Sequence, residues 1–517
     1  MRTKKSILNI MFGALSQLVV ILIGFWSRRV FVDMLGTEIL GINATLTSII
    51  SMLCLTELGI GTAIICNLYK PLEEDDREKI IALMQFYKKA YRIIAGIAVV
   101  ISLCLLPFID LIVLQESSNV VTKQTLQLVF LLFVGDMASS YLLAYKRSLL
   151  FADQKNYVLM IVRTGFTVLT NVSRIIILYA TKNFVFYLAA SVVFRLLENM
   201  FVSILTDKKY PYILTKKKYS LEGIIKNNIV ENTKALALHY IGIYLINGTD
   251  MMIINKFLGT VVSGMYSNYL LITVMMTELS SHVCNGLTAS FGNIIACGEK
   301  EKLYTSFRQS LFIVFVLANV ICVSFFCVLT DFINIWIGGN NTLPVYVLFI
   351  ILLNSYIVLT SSIVGSVRSS AGLFKPDRYL HILLSIVNLV ISIALVNIIG
   401  ILGVFLGTFV CLCIKEISVL PWIVYKNIFN KTLWQYQKIF LGYLVFTLIV
   451  GAISYYACSF VIIDNLFLTI LLKGIISVSI CSCSILLIFS RTNEFKSLFV
   501  LAKRIVGRKN TEQKETL

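Results

Sequence analysis

The sequence predicts an all-α polytopic membrane protein with about fourteen transmembrane helices, built as two six-helix lobes in a parallel pseudo-repeat plus a final helix pair. Three observations support this fold class. Hydrophobic residues make up 58% of the 517 positions and charged residues 14%, which is more apolar surface than a soluble core could bury. The apolar residues fall into long runs separated by short polar breaks. Several motifs also return at a nearly constant spacing.

The apolar runs give the helices in order. Each is close to the roughly 20 residues that an α-helix needs to cross the hydrocarbon of a bilayer. All six prolines fall in the breaks or near span ends, where a missing backbone N–H costs least. The predicted spans are 7–26, 42–66, 80–106, 126–145, 157–179, 184–205, 235–257, 262–288, 307–329, 345–367, 379–396, 401–424, 439–458 and 466–490.

Three motifs recur at one offset and indicate a duplicated half. A Leu-Gly-Thr motif at 35–37 returns at 258–260, a shift of 223 positions. Thr56-Glu-Leu returns at Thr277, a shift of 221, and a Phe-to-Tyr stretch ending at Tyr157 returns with its end at Tyr379, a shift of 222. An even number of spans in each half would make both halves enter from the same side, as in a parallel transporter repeat.

Loop charge predicts the orientation and the domain bounds. The net charge is +18, and most lysines and arginines fall in alternate loops, so the positive-inside rule places both termini in the cytoplasm. A basic excess of this kind is explained by topology, and nucleic acid is not an expected partner. The predicted domains are an N-terminal lobe at 1–205, a cytoplasmic amphipathic linker at 206–233, a C-terminal lobe at 234–424, helices 13 and 14 at 425–490, and a basic cytoplasmic tail at 491–517.

Ionisable residues inside the spans mark candidate site positions, because a charge there costs at least about 2.5 kcal/mol. Asp33 can pair with Arg29 at i,i+4, and Glu198 can pair with Arg195 at i,i+3. For the cations near span ends, Arg28, Arg174, Lys256 and Lys473, the alternative interpretation is snorkelling to the interface. The candidate cavity residues are Arg28, Arg29, Asp33, Arg163, Arg195 and Asp250, and the candidate coupling residues are Glu57, Asp136, Glu198 and Glu278, with Asp250 a further coupling candidate.

The chemistry of these residues favours transport of an anion over catalysis. Guanidinium groups bind phosphate oxygens in pairs and stay charged when desolvated, which indicates a phosphorylated substrate. The sequence has no phosphate-binding loop of the Gly-x-x-x-x-Gly-Lys-Ser/Thr kind, and its three histidines lie in different spans without metal spacing. We therefore expect a transporter, not an enzyme, with no cofactor and no bound metal.

Four segments resemble a known family. They are the end of the first helix, Arg28-Arg29-Val-Phe-Val-Asp33-Met-Leu-Gly, the stretch Glu57-Leu-Gly-Ile-Gly61-Thr-Ala, the acidic loop before Lys79, and the stretch Gly248-Thr-Asp250-Met-Met-Ile-Ile-Asn-Lys-Phe-Leu-Gly259. These segments look like bacterial oligosaccharide flippases (the Wzx-like proteins) of the multidrug/oligosaccharidyl-lipid/polysaccharide (MOP) superfamily. The resemblance implies fourteen helices and translocation of a polyprenyl-pyrophosphate-linked oligosaccharide across the cytoplasmic membrane by alternating access, for capsule, O-antigen or related surface polysaccharide biosynthesis. It also implies that Arg28, Arg29, Asp33 and Asp250 face the cavity.

The resemblance implies partners as well. These are the lipid-linked oligosaccharide, membrane lipids, H⁺ or Na⁺ as a coupling ion, and a glycan polymerase with other assembly proteins. Helices 13 and 14 would form a groove for the lipid tail, where Lys473 is a departure that the resemblance does not explain. Three alternatives stay open: a lipid II flippase, a MATE-like drug or cation exporter, and a membrane-embedded glycan polymerase. Short outer loops disfavour the polymerase, and the extra helix pair and the cations disfavour the exporter.

Overall fold

The structure of the chain is a computed structural model. It describes residues 2–53, 65, 67–113, 121–153, 155–219, 221, 223–373, 376–377, 379–461 and 463–497. Within these ranges the regular structure is entirely helical, with no strand, which confirms the all-α fold class. Glu57, one of the candidate coupling residues, lies outside the described residues.

The helices follow one another with short connections. α1 and α6 each contain one break, described below. The tenth helix continues through two π-helical segments, Cys413–Val419 and Tyr425–Phe429, on either side of a short helix, α11. Apart from the four-residue segment Ile109–Ile112, which extends the second helix, the helices are α1 Arg2–Leu53, α2 Arg77–Leu105, α3 Lys123–Ala152, α4 Asn156–Thr181, α5 Phe184–Lys209, α6 Gly223–Ala296, α7 Lys300–Trp336, α8 Val345–Ser370, α9 Leu380–Ile399, α10 Ile401–Leu412, α11 Leu420–Val424, α12 Leu433–Ser459 and α13 Leu466–Phe489.

Ten helices in the described ranges are long and apolar enough to cross a membrane, or eleven if the bent pair Lys123–Tyr141 and Leu143–Ala152 counts as one span. The protein is therefore a multi-pass membrane protein, and the total of fourteen spans stays a prediction. One predicted loop is wrong. The expected outer loop at 330–344 begins later, because α7 continues to Trp336.

Two glycines break α1 and α6 with nearly the same backbone geometry. Gly36 has φ 85° and ψ 168°, and Gly259 has φ 91° and ψ 172°. A positive φ with an extended ψ is open to glycine and strained for any residue with a Cβ. The Leu-Gly-Thr motif therefore marks a helix break that each copy needs glycine to make.

The helix boundaries repeat at the same offset as the motifs. α2 begins at Arg77 and α7 at Lys300, a shift of 223, while α3 begins at Lys123 and α8 at Val345, a shift of 222. The two glycine breaks are also 223 positions apart. This agreement extends the sequence repeat to the level of secondary structure. α12 and α13 follow the second copy, and no helices of the first copy correspond to them.

The described residues form two compact units. One lies within Met1–Ser267 and His381–Leu389, and the other within Asn268–Leu380 and Val390–Leu517. The first unit thus contains both glycine breaks, and the second contains the final helix pair. The domain bounds drawn from the sequence remain a prediction, as does the amphipathic character of the linker. Between α5 and α6 the chain forms a 3₁₀ turn at Pro211–Leu214.

Candidate functional site

The two copies of the glycine motif pack against each other inside the first unit. A Cβ on Gly41 would lie 1.8 Å from the carbonyl oxygen of Thr260, and a Cβ on Gly264 would lie 2.2 Å from the carbonyl oxygen of Thr37. These pairs are related by the repeat, since each glycine follows its break by five residues. Glycine at both positions therefore lets two helix backbones approach closely, as small residues do between membrane helices.

This contact positions Arg28. Its Nη2 atom donates to Ser267 Oγ at 2.8 Å, and the Ser267 hydroxyl donates to the Gly264 carbonyl at 2.7 Å. Arg28 lies eight residues before the break at Gly36, and Ser267 lies eight residues after the break at Gly259. Each residue is therefore about 12 Å from its glycine break along the helix axis. Arg28 is therefore anchored across the two copies and does not depend on snorkelling to reach a partner.

The adjacent Arg29 forms the ion pair that the sequence predicts. Its Nε atom donates to Asp33 Oδ2 at 2.8 Å, and the side chains are 41% and 43% exposed. The i,i+4 pairing is confirmed, and it largely neutralises the charge of Arg29. Their role in a cavity remains a prediction.

Arg174 joins a cluster that sequence reasoning missed. Its Nε atom donates to Ser191 Oγ at 2.6 Å, and its guanidinium carbon lies 4.8 Å from the centre of the Tyr187 ring. That ring packs edge-on against Phe31 at 5.0 Å. The sequence offers snorkelling as the alternative for Arg174, and the structure instead gives the guanidinium a hydroxyl and an aromatic face. The sequence signal for this cluster is that Arg174 lies within a predicted span and has no carboxylate one helical turn away on the same helix.

Arg195 lies in an ion-pair network between α3 and α5. Its Nε atom is 3.4 Å from Asp136, and its Nη1 atom is 3.7 Å from Glu198. Glu198 is buried and also accepts from Arg147 at 2.8 Å, while Arg147 donates to Asn199 at 2.6 Å. The predicted Arg195–Glu198 pair is therefore present, but Asp136 and Arg147 extend it across two helices.

The network continues toward the ends of α3 and α5. Lys146, at the α3 end, is 2.7 Å from Asp207 and donates to Ser203 at 2.6 Å. Beyond it, the Tyr210 hydroxyl donates to Asp153 at 2.5 Å. Burial of the phenol, followed by its hydrogen bond to Asp153, raises the pKa of Tyr210 well above its ordinary value.

The charges of this network balance. Asp153 also pairs with Lys155. Four carboxylates and four cations on α3, α5 and the connection between α3 and α4 are therefore paired, and each charge has an opposite neighbour. Such a balanced network stabilises the contact between α3 and α5, because unpaired charges within membrane spans are costly. The four carboxylates are Asp136, Asp153, Glu198 and Asp207, and the four cations are Lys146, Arg147, Lys155 and Arg195.

Arg163 stands apart from these groups. It is exposed on α4, eleven residues before Arg174, which places it about 16 Å away along the helix. The structure therefore does not bring Arg163 to the level of Arg174, and its assignment to the substrate cavity stays a prediction.

Asp250 is the most buried of the predicted acids on α6. It is 5% exposed, and Asn388 Nδ2 on α9 donates to its Oδ1 atom at 3.1 Å. Glu278, farther along α6, is exposed. A buried carboxylate held by an amide could exchange a proton or coordinate a small cation. Within the described residues no cluster of three or more His, Cys, Asp or Glu side chains could hold a metal ion.

The second unit explains Lys473, which the resemblance left unplaced. Its Nζ atom on α13 is 2.7 Å from Asp331 Oδ2 on α7, and the two side chains are 18% and 21% exposed. The sequence places Asp331 in an outer loop, which concealed it as a partner. Because α7 continues past Asp331, Lys473 forms an ion pair between α13 and α7 and does not need a lipid headgroup as its partner.

No protein-family model and no curated protein matches this chain. Solved structures do match at the level of the fold. A lipid II flippase MurJ in its inward closed conformation is 14% identical, with a TM-score of 0.68 over 93% of this chain and 99% of that protein. An inward-facing multidrug resistance MATE family transporter of the MOP superfamily is 14% identical, with a TM-score of 0.63 over 81% and 96%.

A third similar structure is a MOP superfamily transporter from Pyrococcus furiosus Vc1 (DSM3638), described by a binding pocket of reverse polarity. It is 14% identical, with a TM-score of 0.53 over 82% of this chain and 95% of that protein. The three together span nearly the whole chain. At these identities the likeness concerns architecture alone, and it shows that this chain has the fold of the MOP superfamily transporters.

Proposed function

We propose that this protein is a flippase that moves a polyprenyl-pyrophosphate-linked oligosaccharide across the cytoplasmic membrane by alternating access, for assembly of a surface polysaccharide. The observation that carries the proposal is the guanidinium group of Arg28, which donates at 2.8 Å to Ser267 of the candidate membrane span Gly248–Glu278. An intramembrane cation in a transporter fold marks a substrate path. A guanidinium is suited to phosphate because its planar fork donates two parallel hydrogen bonds.

The mechanism follows from the substrate's two parts. The pyrophosphate and glycan enter from the cytoplasm toward Arg28, while the polyprenyl chain stays in the bilayer. The Gly41–Thr260 and Gly264–Thr37 contacts break and reform as the site is exposed to one side and then to the other. An inside-negative potential favours outward movement of the anionic head by about 2.3 kcal/mol per charge per 100 mV.

Asp250 is the proposed coupling site. Its carboxylate is buried and held by Asn388 at 3.1 Å, so loss or gain of a proton or Na⁺ there changes the charge of the same unit that contains Arg28. Electrostatic linkage of this kind couples an ion gradient to the state that binds the anionic head. The proposal has both termini in the cytoplasm, which the positive-inside rule predicts from the loop charges.

A lipid II flippase is the second candidate, because one structure with this fold is a lipid II flippase. Lipid II also carries a polyprenyl pyrophosphate, so Arg28 would serve it equally well. The two functions differ in the glycan that the protein accepts, and comparing both lipids as substrates separates them.

The test is a flipping assay in proteoliposomes, scored by the accessibility of the sugar on the far leaflet. We expect the native protein to move a polyprenyl-pyrophosphate oligosaccharide and Arg28→Gln to slow that movement at least tenfold with folding intact. Lys182→Gln is the control, because Lys182 is an exposed lysine at the end of α4. Export of a soluble organic cation without any lipid flipping would replace the proposal with a drug exporter.

A further inference from the structure

We propose that Arg174 is a second phosphate-binding guanidinium, and that Arg174 and Arg28 each bind one phosphate of a lipid diphosphate. The inference rests on the proposed function and assigns a residue that the resemblance does not. It would make the site selective for diphosphate over monophosphate carriers. Four features of the Arg174 cluster support it.

First, the Arg174 guanidinium is held in a fixed orientation. Its Nε atom donates to Ser191 Oγ at 2.6 Å, and the Ser191 hydroxyl in turn donates to the Tyr187 carbonyl at 3.1 Å. The guanidinium carbon lies 4.8 Å from the centre of the Tyr187 ring. These contacts use Nε and one face of the group, so the two terminal nitrogens are left to bind two phosphate oxygens.

Second, Tyr187 connects the Arg174 cluster to the helix that carries Arg28. Its ring contacts Phe31 at 5.0 Å, and Phe31 follows Arg28 by three residues, so the two lie on the same side of α1. The aromatic ring therefore contacts Arg174 and packs on the side of α1 that carries Arg28.

Third, both arginines lie at similar distances from the ends of their helical segments. Arg174 precedes the end of α4 at Thr181 by seven residues, Tyr187 and Ser191 follow the start of α5 at Phe184 by three and seven, and Arg28 precedes Gly36 by eight. At 1.5 Å per residue the two arginines are about 10 to 12 Å from their helix ends.

Fourth, Arg174 has no carboxylate partner in the described part of the chain. Arg29, Arg195 and Lys473 each form an ion pair with an acidic side chain. For Arg174, the described polar contacts are a neutral hydroxyl and an aromatic ring. A cation kept without an acid inside a membrane is costly, and such residues mark substrate paths. A diphosphate would supply the missing negative charge.

The experiment measures binding of two lipids to the full-length protein in nanodiscs. The probes are polyprenyl pyrophosphate and polyprenyl monophosphate, which differ by one phosphate, and polyprenol is the uncharged reference. We expect Arg174→Gln to weaken diphosphate binding at least tenfold and to change monophosphate binding less than threefold, so the preference between the two lipids collapses. Arg174→Lys keeps the charge without the planar fork and should fall between Arg174→Gln and the native protein. Lys182→Gln should match the native protein.

The outcomes separate this inference from the proposed function. Native binding that is lost in Arg28→Gln but unchanged in Arg174→Gln would overturn the role of Arg174 and leave the proposed function standing. A native protein without preference for either lipid over polyprenol would overturn both. If Arg174→Gln does not fold, Tyr187→Leu tests the same idea, because removing the ring that orients Arg174 should also reduce the diphosphate preference. An unchanged preference in that variant would contradict the inference.

Discussion

Gly41 and Thr260 meet so closely that a Cβ on the glycine would lie 1.8 Å from the threonine carbonyl oxygen. The same contact occurs between Gly264 and Thr37 at 2.2 Å. The repeat that is visible in the sequence thus folds into a reciprocal contact in which each copy supplies one glycine and one threonine. In a membrane, where lipid competes with protein for apolar surface, such close backbone approach is a main source of helix association.

The first prediction concerns these glycines. Gly41→Ala and Gly264→Ala should each lower the free energy of unfolding by about 1 to 3 kcal/mol, because the added methyl group forces two backbones apart. The measurement is thermal unfolding of the purified protein in detergent. Gly24→Ala and Gly292→Ala are matched controls in α1 and α6, since a Cβ at either position meets nothing within 4 Å.

Alanine is favoured over glycine in a helix by about 1 kcal/mol. The two control variants should therefore be as stable as the native protein or slightly more stable. Equal melting temperatures for Gly41→Ala and Gly24→Ala would show that the reciprocal contact does not form in the membrane protein.

The glycine breaks show how much of the fold the sequence predicts. Gly36 and Gly259 stand in a Leu-Gly-Thr motif whose offset is readable from the letters, and the structure gives them matching torsion angles. The break can be predicted from one residue, because few residues other than glycine tolerate that φ. Local preferences of this kind can be used without knowledge of the tertiary structure.

Arg195 shows where sequence reasoning stops. Its i,i+3 partner Glu198 is predictable, because both lie on one helix face. Asp136, at 3.4 Å, belongs to another helix, and Arg147 reaches Glu198 from that helix as well. Which faces of two membrane helices meet depends on packing between them, which the periodicity of either helix alone does not specify. The structure therefore gives Arg195 acidic partners that the sequence could not supply.

The second prediction tests whether Arg195 is structural. Arg195→Gln should lower the free energy of unfolding by about 2 to 4 kcal/mol, because it removes the cation that pairs with Asp136 and leaves Glu198 with Arg147 alone in a low-dielectric environment. Adding Asp136→Asn should recover part of that loss. Thermal unfolding of the single and double variants measures the coupling. A stable Arg195→Gln protein that fails to bind the diphosphate lipid would instead place Arg195 in the substrate site.

The third prediction concerns Lys473 and Asp331, which join α13 to α7. Lys473→Met alone should destabilise the protein by about 3 kcal/mol, since it leaves a carboxylate partly buried without its cation. The double variant Lys473→Met/Asp331→Leu should restore most of the stability, because replacing both partners by apolar residues removes the unpaired charge. Additive losses in the double variant would show that the two residues do not interact.

The fourth prediction concerns ion coupling at Asp250. If an imposed Na⁺ or H⁺ gradient speeds flipping by the native protein, Asp250→Asn should abolish that stimulation, because asparagine neither releases a proton nor attracts a cation. Initial flipping rates with and without each gradient provide the measurement. Asp464→Asn is the control, since Asp464 is exposed between α12 and α13. Full gradient stimulation in Asp250→Asn would exclude Asp250 as the coupling group.

The fifth prediction concerns the pH dependence of stability at Tyr210, which lies outside the spans. Burial of the phenol and its hydrogen bond to Asp153 raise the pKa of Tyr210. An unfolded tyrosine has a pKa near 10. Below about pH 10 the phenol is protonated in both states, so its contribution to stability is complete. Above that pH the unfolded form ionises first, and stability falls by about 1.4 kcal/mol per pH unit until the folded pKa is reached.

Tyr210→Phe should therefore cost about 1 kcal/mol at pH 8, where the hydrogen bond to Asp153 is lost. Between pH 10 and pH 11 it should lose less stability than the native protein, because it has no phenol to ionise. Thermal unfolding at both pH values measures the difference. Tyr346→Phe is the control, since the Tyr346 side chain is exposed and its replacement should leave the native slope unchanged. A slope for Tyr210→Phe as steep as that of Tyr346→Phe would mean that the pKa of Tyr210 is not raised in the folded protein.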